Sequence, residues 1–346
     1  MFNKAIRKIK RKIIDRLVAN LPSMNERIGH YDMRTLTTAY YNYGPTDEIM
    51  TQFSLWEKSH WQWQHGHSSQ WIIYMACCLE KGMYGKAKST LRTYFSVHGL
   101  KDIHLILSVA DFAHKNNYTN DKIRRSSEIY NCFLKNNKSN DIAKLIQNKS
   151  IAFVGNGPQE MGRRRGEEID SHDIVIRMNS FSLEGYEKDY GTRTDIWSKG
   201  GGITRNDFEF DYIIYAHNYD RIFSNEAELE DTYNYIKKHP EKVVFLGGKE
   251  MDSMFEWKEF FNPTTGCRTL WWLYKQLGTL ENVDIYGMSF PYKNQTMLDH
   301  YSSNFVGGSG HNMYIELAFM RHLYYGLGGG NNPAYNDEIK ELDKNY

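Results

Sequence analysis

The chain has 346 residues and a formal net charge of +1 at pH 7. This length exceeds what a single hydrophobic core usually serves, so more than one domain is expected. The near-zero net charge argues against nucleic acid as a partner, because nucleic-acid-binding domains carry a clear basic excess. Aromatic residues form 14% of the chain, and their flat faces and polar tips suit a carbohydrate ligand as well as a packed core.

Residues 1–46 are assigned to a basic amphipathic N-terminal helix and its lead-in. Apolar residues recur at helical spacing, and basic residues crowd the positions between them. The apolar set is Phe2, Ile6, Ile9, Ile13 and Leu17, and the basic set is Lys4, Arg7, Lys8, Lys10, Arg11, Lys12 and Arg16. Such a helix suits an anionic membrane surface, and a helix docked on the protein explains the pattern equally well. No stretch predicts a transmembrane span or a signal peptide.

Residues 47–148 predict an all-helical domain, because strand alternation is absent from them. A faint repeat at an offset of 34 residues pairs Ala76 with Ala110 and Tyr84 with Tyr118. This pattern is compatible with a tetratricopeptide-like helical pair. Two copies are fewer than a solenoid requires, so a small helical bundle is the alternative. The aromatic cluster from Trp56 to Trp71 is predicted to be core packing.

Residues 149–327 alternate short apolar strands with helices. The predicted strands are Ile151 to Val154, Ile174 to Met178, Asp195 to Ser198, Tyr212 to Ala216, Val243 to Leu246 and Val283 to Tyr286, and the predicted helices are Asn225 to Lys238 and Thr265 to Gln276. This alternation predicts an α/β fold with a Rossmann-like, mostly parallel sheet covered by helices. Residues 328–346, with a glycine triplet and a charged end, predict a flexible tail.

The first of these strands runs into the turn Gly155-Asn156-Gly157. Glycine lets a backbone approach a phosphate closely, an asparagine amide both donates and accepts, and ligands collect where the strands of such sheets end. The glycine spacing is not that of a dinucleotide fingerprint, and no P-loop sequence follows. A tight turn after a buried strand also explains the glycines.

Four motifs follow one another along the chain. They are the segment GEEIDSHDIVIRMN from Gly166 to Asn179, Pro263-Thr264-Thr265-Gly266 with Val283 to Gly287 after a helical run, Asp299-His300-Tyr301, and His311 to Glu316 in a His-x4-Glu pattern. In this order they resemble the large, small, third and very short sialylmotifs of the animal-type sialyltransferases, glycosyltransferase family 29, with Thr264 replacing the more usual serine. The resemblance implies a GT-A-like sialyltransferase variant of the α/β fold.

The resemblance also implies an inverting glycosyltransferase with a CMP-activated sugar acid as donor. The donor site would comprise Gly155, Asn156, Gly157, Asn179, Thr264, Thr265 and Gly266, with the two asparagines on the nucleotide and its phosphate. His311 is the expected general base, since histidine titrates near neutral pH. His300 is expected to stabilise the departing phosphate, and Glu316 to orient the backbone of its motif.

The residues Arg163-Arg164-Arg165 occupy a turn where the family commonly has small residues. Adjacent guanidinium groups favour anionic partners, so they are assigned to an acidic acceptor or a lipid diphosphate. A solvated charge run is the alternative interpretation.

No metal or other cofactor is expected. A CMP donor carries a single phosphate, and the chain contains no Asp-x-Asp sequence with which many nucleotide-sugar transferases hold a divalent cation. The expected acceptor is a glycan or lipid-linked glycan. CMP-Kdo shares the CMP, phosphate and carboxylate of CMP-sialic acid, so a Kdo transferase is the first alternative. A non-catalytic helical-repeat scaffold is the second, and an oxidoreductase is disfavoured by the glycine spacing.

The four cysteines form no spaced disulfide framework. Secreted members of the family open the large motif with a cysteine that pairs with one in the small motif. Ile151 occupies the first position here, and no cysteine occurs in residues 273–281, where the second would lie. This departure predicts a cytoplasmic enzyme from a bacterium, where capsule or lipopolysaccharide synthesis is the expected context. The basic N-terminal helix would place the enzyme on the inner face of the membrane.

Overall fold

The computed structural model describes residues 40, 44–58, 68–137, 139–201, 208–217, 220, 226–246, 263–288, 316, 319 and 323. These residues fall into two compact units, the first holding the described residues up to Lys135 together with Asp220, and the second holding the others. Among the described residues, no helix has the length and apolarity that a membrane span requires. The predicted N-terminal helix and flexible tail lie outside the described residues, and the predicted domain boundaries stay predictions.

The first unit is helical, which confirms the prediction for this part of the chain. Its helices are α1 Asp47–Lys58, α2 Ser68–Glu80, α3 Tyr84–His98, α4 Leu107–Lys115 and α5 Asp121–Asn136, with a 3-10 turn at Ile103–Leu105. The two segments of the predicted repeat each form a helix, a short turn and a second helix. Ala76 and Ala110, which the repeat pairs, are both fully buried.

Helix α2 lies in the centre of this unit, because it is apolar around most of its circumference. All of its residues from Gln70 to Cys78 are buried, which is typical of a core helix rather than a surface helix. The rings of Trp56 and Trp71 meet edge to face at 5.7 Å. The predicted core role is therefore confirmed for these two tryptophans, and the aromatic residues between them fall outside the described ranges.

The second unit contains a six-stranded sheet whose strands are all parallel, which confirms the predicted fold class. Its strands are β1 Ile151–Val154, β2 Ile174–Met178, β3 Ile196–Lys199, β4 Tyr212–Tyr215, β5 Val243–Phe245 and β6 Val283–Tyr286, and its helices are α6 Ser139–Leu145, α7 Gly166–Asp170, α8 Glu187–Tyr190, α9 Glu226–Lys238 and α10 Thr265–Leu277. A 3-10 turn at Pro158–Glu160 follows β1. The strands read as continuous apolar runs because most of their residues are buried.

The third strand begins one residue later than predicted, at Ile196. Asp195 lies just before the strand, and its side chain forms hydrogen bonds with neighbouring chain segments. Its Oδ2 accepts hydrogen bonds from Val175 N at 2.7 Å and from Arg193 Nη2 at 2.7 Å. The carboxylate thus joins the entries to β2 and β3 and holds them in register.

The order of the strands is β5-β4-β3-β2-β1-β6. From β1 the chain steps to one side through β5 and then returns to place β6 on the other side of β1. Ile151 consequently pairs with Ile174 of β2 and with Val283 of β6. The direction of winding reverses at β1, and in open α/β sheets the crevice outside the carboxyl ends at such a point is where ligands bind.

Candidate active site

The carboxyl ends of β1 and β6 close directly on each other through their backbones. Gly155 N donates to Tyr286 O at 2.8 Å, and Gly157 N donates to Gly287 O at 2.6 Å. A Cβ atom on Gly155 would lie 2.4 Å from Gly287 O and 2.7 Å from Met288 Sδ. A side chain at position 155 is therefore excluded by the neighbouring chain. This close contact is sufficient to explain why position 155 is glycine. Binding of a phosphate near Gly155 stays a prediction.

Asn156 ties the turn after β1 to the end of β2. Its Nδ2 donates to Met178 O at 2.9 Å and to Ser180 O at 3.0 Å. Both amide protons are thereby used, so the group that remains for a ligand is the acceptor Oδ1. If Asn156 contacts the CMP-sugar donor as predicted, it would therefore do so by accepting a hydrogen bond.

Asn179 directly follows β2, and the structure engages its carboxamide oxygen, whereas in Asn156 it engages the amide nitrogen. Its Oδ1 accepts from Gly200 N at 3.0 Å and from Thr265 Oγ1 at 3.2 Å, and its backbone has a left-handed φ of 52°. The backbone oxygen accepts from Trp197 Nε1 at 2.7 Å. Because the carboxamide oxygen is engaged, the Nδ2 protons are directed elsewhere, and they make no hydrogen bond to any residue that the structure describes.

Helix α10 begins beside this amide. Thr264 is its N-cap, and Thr264 Oγ1 accepts from Cys267 N at 3.2 Å. The first N–H groups of a helix have no partner within it and carry the positive end of its dipole. The bond from Thr265 Oγ1 to Asn179 Oδ1 brings the Asn179 side chain next to the start of α10. The structure thus brings four of the predicted donor residues into one place: Asn179, Thr264, Thr265 and Gly266.

Glu316 holds the start of α10 from behind. Its Oε1 accepts from Thr264 N at 2.9 Å and its Oε2 from Thr264 Oγ1 at 2.6 Å. Glu316 is 1% exposed, and this burial raises its pKa to about 7, while the bonds from Thr264 and the nearby Arg268 favour its charged form. Glu316 therefore supports the helix start by contact with Thr264.

Replacing Glu316 with glutamine is expected to change how stability depends on pH. Its pKa is raised from an ordinary 4.5 to about 7 in the folded chain, so between these pH values the folded state binds more protons than the unfolded state. The free energy of unfolding should then fall as pH rises through this window, by about 3 kcal/mol at most. Glu316→Gln should remove that fall, measured as denaturant midpoints from pH 4.5 to 7.5. The same slope in both proteins would contradict the assignment.

The three predicted acceptor arginines do not behave alike. Arg163 and Arg164 are exposed, whereas Arg165 is half-buried and faces two carboxylates. Its Nη1 lies 3.8 Å from Glu160 Oε2, and its Nε lies 3.9 Å from Glu168 Oε2. The predicted catalytic histidines, His300 and His311, lie outside the described residues.

Several residues that support the site were not singled out from the sequence. Glu160 is 3% exposed and its Oε1 accepts from Gly287 N at 3.3 Å, while Tyr190 donates to Gly157 O at 2.6 Å. His172 Nε2 lies 3.0 Å from Asp284 Oδ2, and this hydrogen bond raises the pKa of His172. These contacts join segments far apart in the chain, so local patterns do not reveal them.

A cavity of about 610 Å³ lies at the amino ends of β3, β4 and β5, opposite the carboxyl ends where Asn179 lies. Its walls include Thr194, Phe210, Asp211 and Lys242. These residues precede their strands, whereas Asn179 follows its own, so this cavity is separate from the donor residues. Within the described ranges no group of three or more His, Cys, Asp or Glu side chains is placed to hold a metal ion.

The comparison with protein families finds a match over part of the chain. The family model of glycosyltransferase family 29 (sialyltransferase) matches residues 106–220. Over this segment the chain is similar to glycosyltransferase family 29. The match to the sialyltransferase family confirms the resemblance seen in the motifs, and it includes Gly155, Asn156, Gly157 and Asn179, while Thr264 to Gly266 lie beyond it.

Animal sialyltransferases are similar to parts of this chain. An alpha-N-acetylgalactosaminide alpha-2,6-sialyltransferase 2 of Mus musculus is 43% identical over 65 residues, 19% of this chain and 16% of that protein. Alpha-N-acetylgalactosaminide alpha-2,6-sialyltransferase 1 of Homo sapiens is 48% identical over 125 residues, 36% of this chain and 18% of that protein. A type 2 lactosamine alpha-2,3-sialyltransferase of Pongo abelii is 31% identical over 134 residues, 35% of this chain and 40% of that protein.

The chain therefore spans less than half the length of each of these relatives. Among solved structures, the crystal structure of a mammalian sialyltransferase matches with a TM-score of 0.37 and 18% identity, over 57% of this chain and 82% of that chain. The four cysteines of the present chain form no disulfide bond with one another; they are Cys77, Cys78, Cys132 and Cys267.

Proposed function

We propose that this chain is an inverting sialyltransferase of glycosyltransferase family 29, which transfers a sialic acid from a CMP donor to a hydroxyl of a surface glycan. The observation that carries the proposal is the convergence of hydrogen-bond donors at the carboxyl edge of the sheet. The Nδ2 group of Asn179, which bonds to no residue that the structure describes, and the start of α10 adjoin each other there. Such a pairing of an amide with a helix N-terminus suits a phosphate group.

The two asparagines offer complementary hydrogen-bonding groups to a nucleotide. Asn179 offers donors, which suit the phosphate oxygens, because its acceptor is engaged by Gly200 and Thr265. Asn156 offers an acceptor, which suits a ribose hydroxyl or the cytosine amino group, because its donors are engaged by backbone carbonyls. Hydrogen bonds to a charged ligand contribute roughly 1.5 to 3 kcal/mol each.

The proposed reaction moves one sugar and one proton. The acceptor hydroxyl attacks the anomeric carbon as the bond from that carbon to the CMP phosphate oxygen breaks, so the configuration inverts. His311 takes the hydroxyl proton, and His300 donates a hydrogen bond or proton to the leaving phosphate. A well-placed base of near-neutral pKa contributes about 10²- to 10⁴-fold in rate.

The proposal is tested with purified protein and defined nucleotides. Calorimetry should detect CMP binding, and incubation with CMP-sialic acid should release CMP slowly in the absence of an acceptor. A parallel incubation with CMP-Kdo identifies the donor, since the two sugar acids share the groups that the site addresses. A protein that neither binds CMP nor cleaves either donor would disprove the proposed function.

Activity is expected to survive EDTA. The donor carries one phosphate, and the Asn179 amide and the start of α10 provide donors for it without a cation. The release of CMP from the preferred donor should therefore be equal, within about twofold, with and without chelator. Loss of turnover in EDTA that magnesium or manganese restores would overturn the metal-independent mechanism.

We also propose that the enzyme is bacterial and cytoplasmic, and that its basic N-terminal segment brings it to the inner face of the membrane. Seven basic residues within positions 4–16 support this, because each contributes about 1 kcal/mol near an anionic surface. The full chain should sediment with phosphatidylglycerol vesicles more than a chain beginning at Ser23. Equal sedimentation of the two would remove this role.

A further inference from the structure

The arginine turn, residues Gly162 to Arg165, is held by a carboxylate beneath it. Asp189 Oδ2 accepts from Gly162 N at 2.8 Å, and Asp189 Oδ1 accepts from Arg164 N at 2.8 Å. Arg163 N donates to Glu160 O at 3.0 Å. Because three successive positions are anchored through their backbones, the turn has a defined shape that does not depend on its exposed side chains.

Within this turn Arg164 adopts a left-handed backbone with a φ of 57°. This conformation is unfavourable for residues with a Cβ atom and favours glycine, or asparagine as a second choice. A turn selected for its shape alone would carry one of these at position 164. Strained residues held by their surroundings occur preferentially at ligand sites, so the arginine side chain points to a function outside the turn.

The charges of the turn are divided between two directions. Arg165 faces Glu160 and Glu168 at 3.8 and 3.9 Å, and the Asp189 carboxylate is engaged by the two amides of the turn. Arg164 is exposed and its guanidinium forms no ion pair with the residues that the structure describes. The turn therefore presents positive charge to solvent, on the loop that leads from the carboxyl end of β1.

We propose that Arg164, assisted by Arg163, binds an anionic group on the acceptor, so that the enzyme extends a glycan that already carries a carboxylate or phosphate. The inference rests on the proposed function and specifies its acceptor class. A guanidinium offers two parallel N–H donors that match either anion. The loop joins the Asn156 turn directly, which places this charge on the segment that also contacts the end of β2.

The test compares acidic and neutral sugars on protein saturated with CMP, so that the nucleotide site is filled. Wild type should bind 3′-sialyllactose at least about tenfold more tightly than lactose. The affinity for galactose 6-phosphate relative to galactose measures the corresponding preference for a phosphate. Comparison of the two pairs of sugars shows whether the site prefers a carboxylate or a phosphate. No preference for either acidic sugar would overturn the proposal.

Arg164→Gly separates the side chain from the shape of the turn. Glycine relieves the left-handed strain, so the melting temperature should stay the same or rise, while the preference for the acidic sugar falls to about one. Arg164→Lys should keep part of the preference, since it keeps the charge and loses the fork. Arg124→Ala, an exposed arginine of α5, serves as the control that changes nothing.

CMP affinity distinguishes this inference from the proposed function. Arg164→Gly should bind CMP as wild type does, and a wild type that fails to bind CMP would remove the proposed function itself. If Arg164→Gly keeps the full preference for acidic sugars, the arginine turn is not an acceptor site. If the substitution instead reduces sedimentation with phosphatidylglycerol vesicles and leaves sugar preference intact, the turn binds lipid and the glycan proposal is wrong.

Discussion

Asn179→Asp is expected to weaken CMP binding by about 100-fold or more while the second unit stays folded. An aspartate keeps the acceptor that Gly200 N and Thr265 Oγ1 use at 3.0 and 3.2 Å, so the structural role of the side chain survives. It loses both Nδ2 protons and places a negative charge near the phosphate. The lost hydrogen bonds to a charged group alone amount to roughly 1.5 to 3 kcal/mol, and repulsion adds to this.

The matched control for this substitution is Asn282→Asp. Asn282 is exposed and directly precedes β6. Its substitution by aspartate therefore adds the same charge to the same unit, but at the amino ends of the strands. Calorimetry with CMP should give wild-type affinity for Asn282→Asp and a large loss for Asn179→Asp, with both proteins folded by circular dichroism. Equal affinity in the two variants would show that Asn179 does not donate to the nucleotide.

The strands were predictable from the sequence because each is a short apolar run bounded by polar turns. Burial on both faces of a parallel sheet requires such runs, and all six strands lie within one residue of their predicted bounds at either end. Their order was not predictable, since nothing within Val283–Tyr286 indicates that this strand lies beside β1. The position of β6 depends on contacts with the end of β1, which only the folded chain brings together.

The residues predicted to bind the CMP-sugar donor came from motif resemblance, whereas the hydrogen bonds that each of them makes depend on long-range contacts. Asn156 and Asn179 look alike in the sequence, yet one has its donors engaged and the other its acceptor. Glu316 reaches Thr264 across 52 residues of chain. The arginine turn is one charge run in the sequence, yet Arg165 is half-buried beside Glu160 whereas Arg164 is exposed. Side-chain direction of this kind depends on neighbours that a linear pattern does not contain.

His311→Ala is expected to reduce sialyl transfer by about 10²-fold or more, with CMP affinity nearly unchanged. A general base acts on the acceptor proton in the transition state, so its loss lowers the rate of transfer without removing ground-state contacts to the nucleotide. The residual activity should lose the dependence on a group of near-neutral pKa that a histidine base gives. The measurement is transfer to a saturating acceptor from pH 5 to 9, with CMP affinity determined by calorimetry.

His300→Ala is the variant that distinguishes stabilisation of the leaving phosphate from activation of the acceptor. A residue that stabilises the leaving phosphate acts whether the sugar goes to an acceptor or to water, so its loss should slow transfer and acceptor-free donor hydrolysis together. Loss of a base that activates the acceptor should slow transfer much more than hydrolysis. If His311→Ala instead transfers at close to the wild-type rate across the pH range while folded, the base lies elsewhere, and the His-x4-Glu motif keeps only the structural part that Glu316 plays at Thr264.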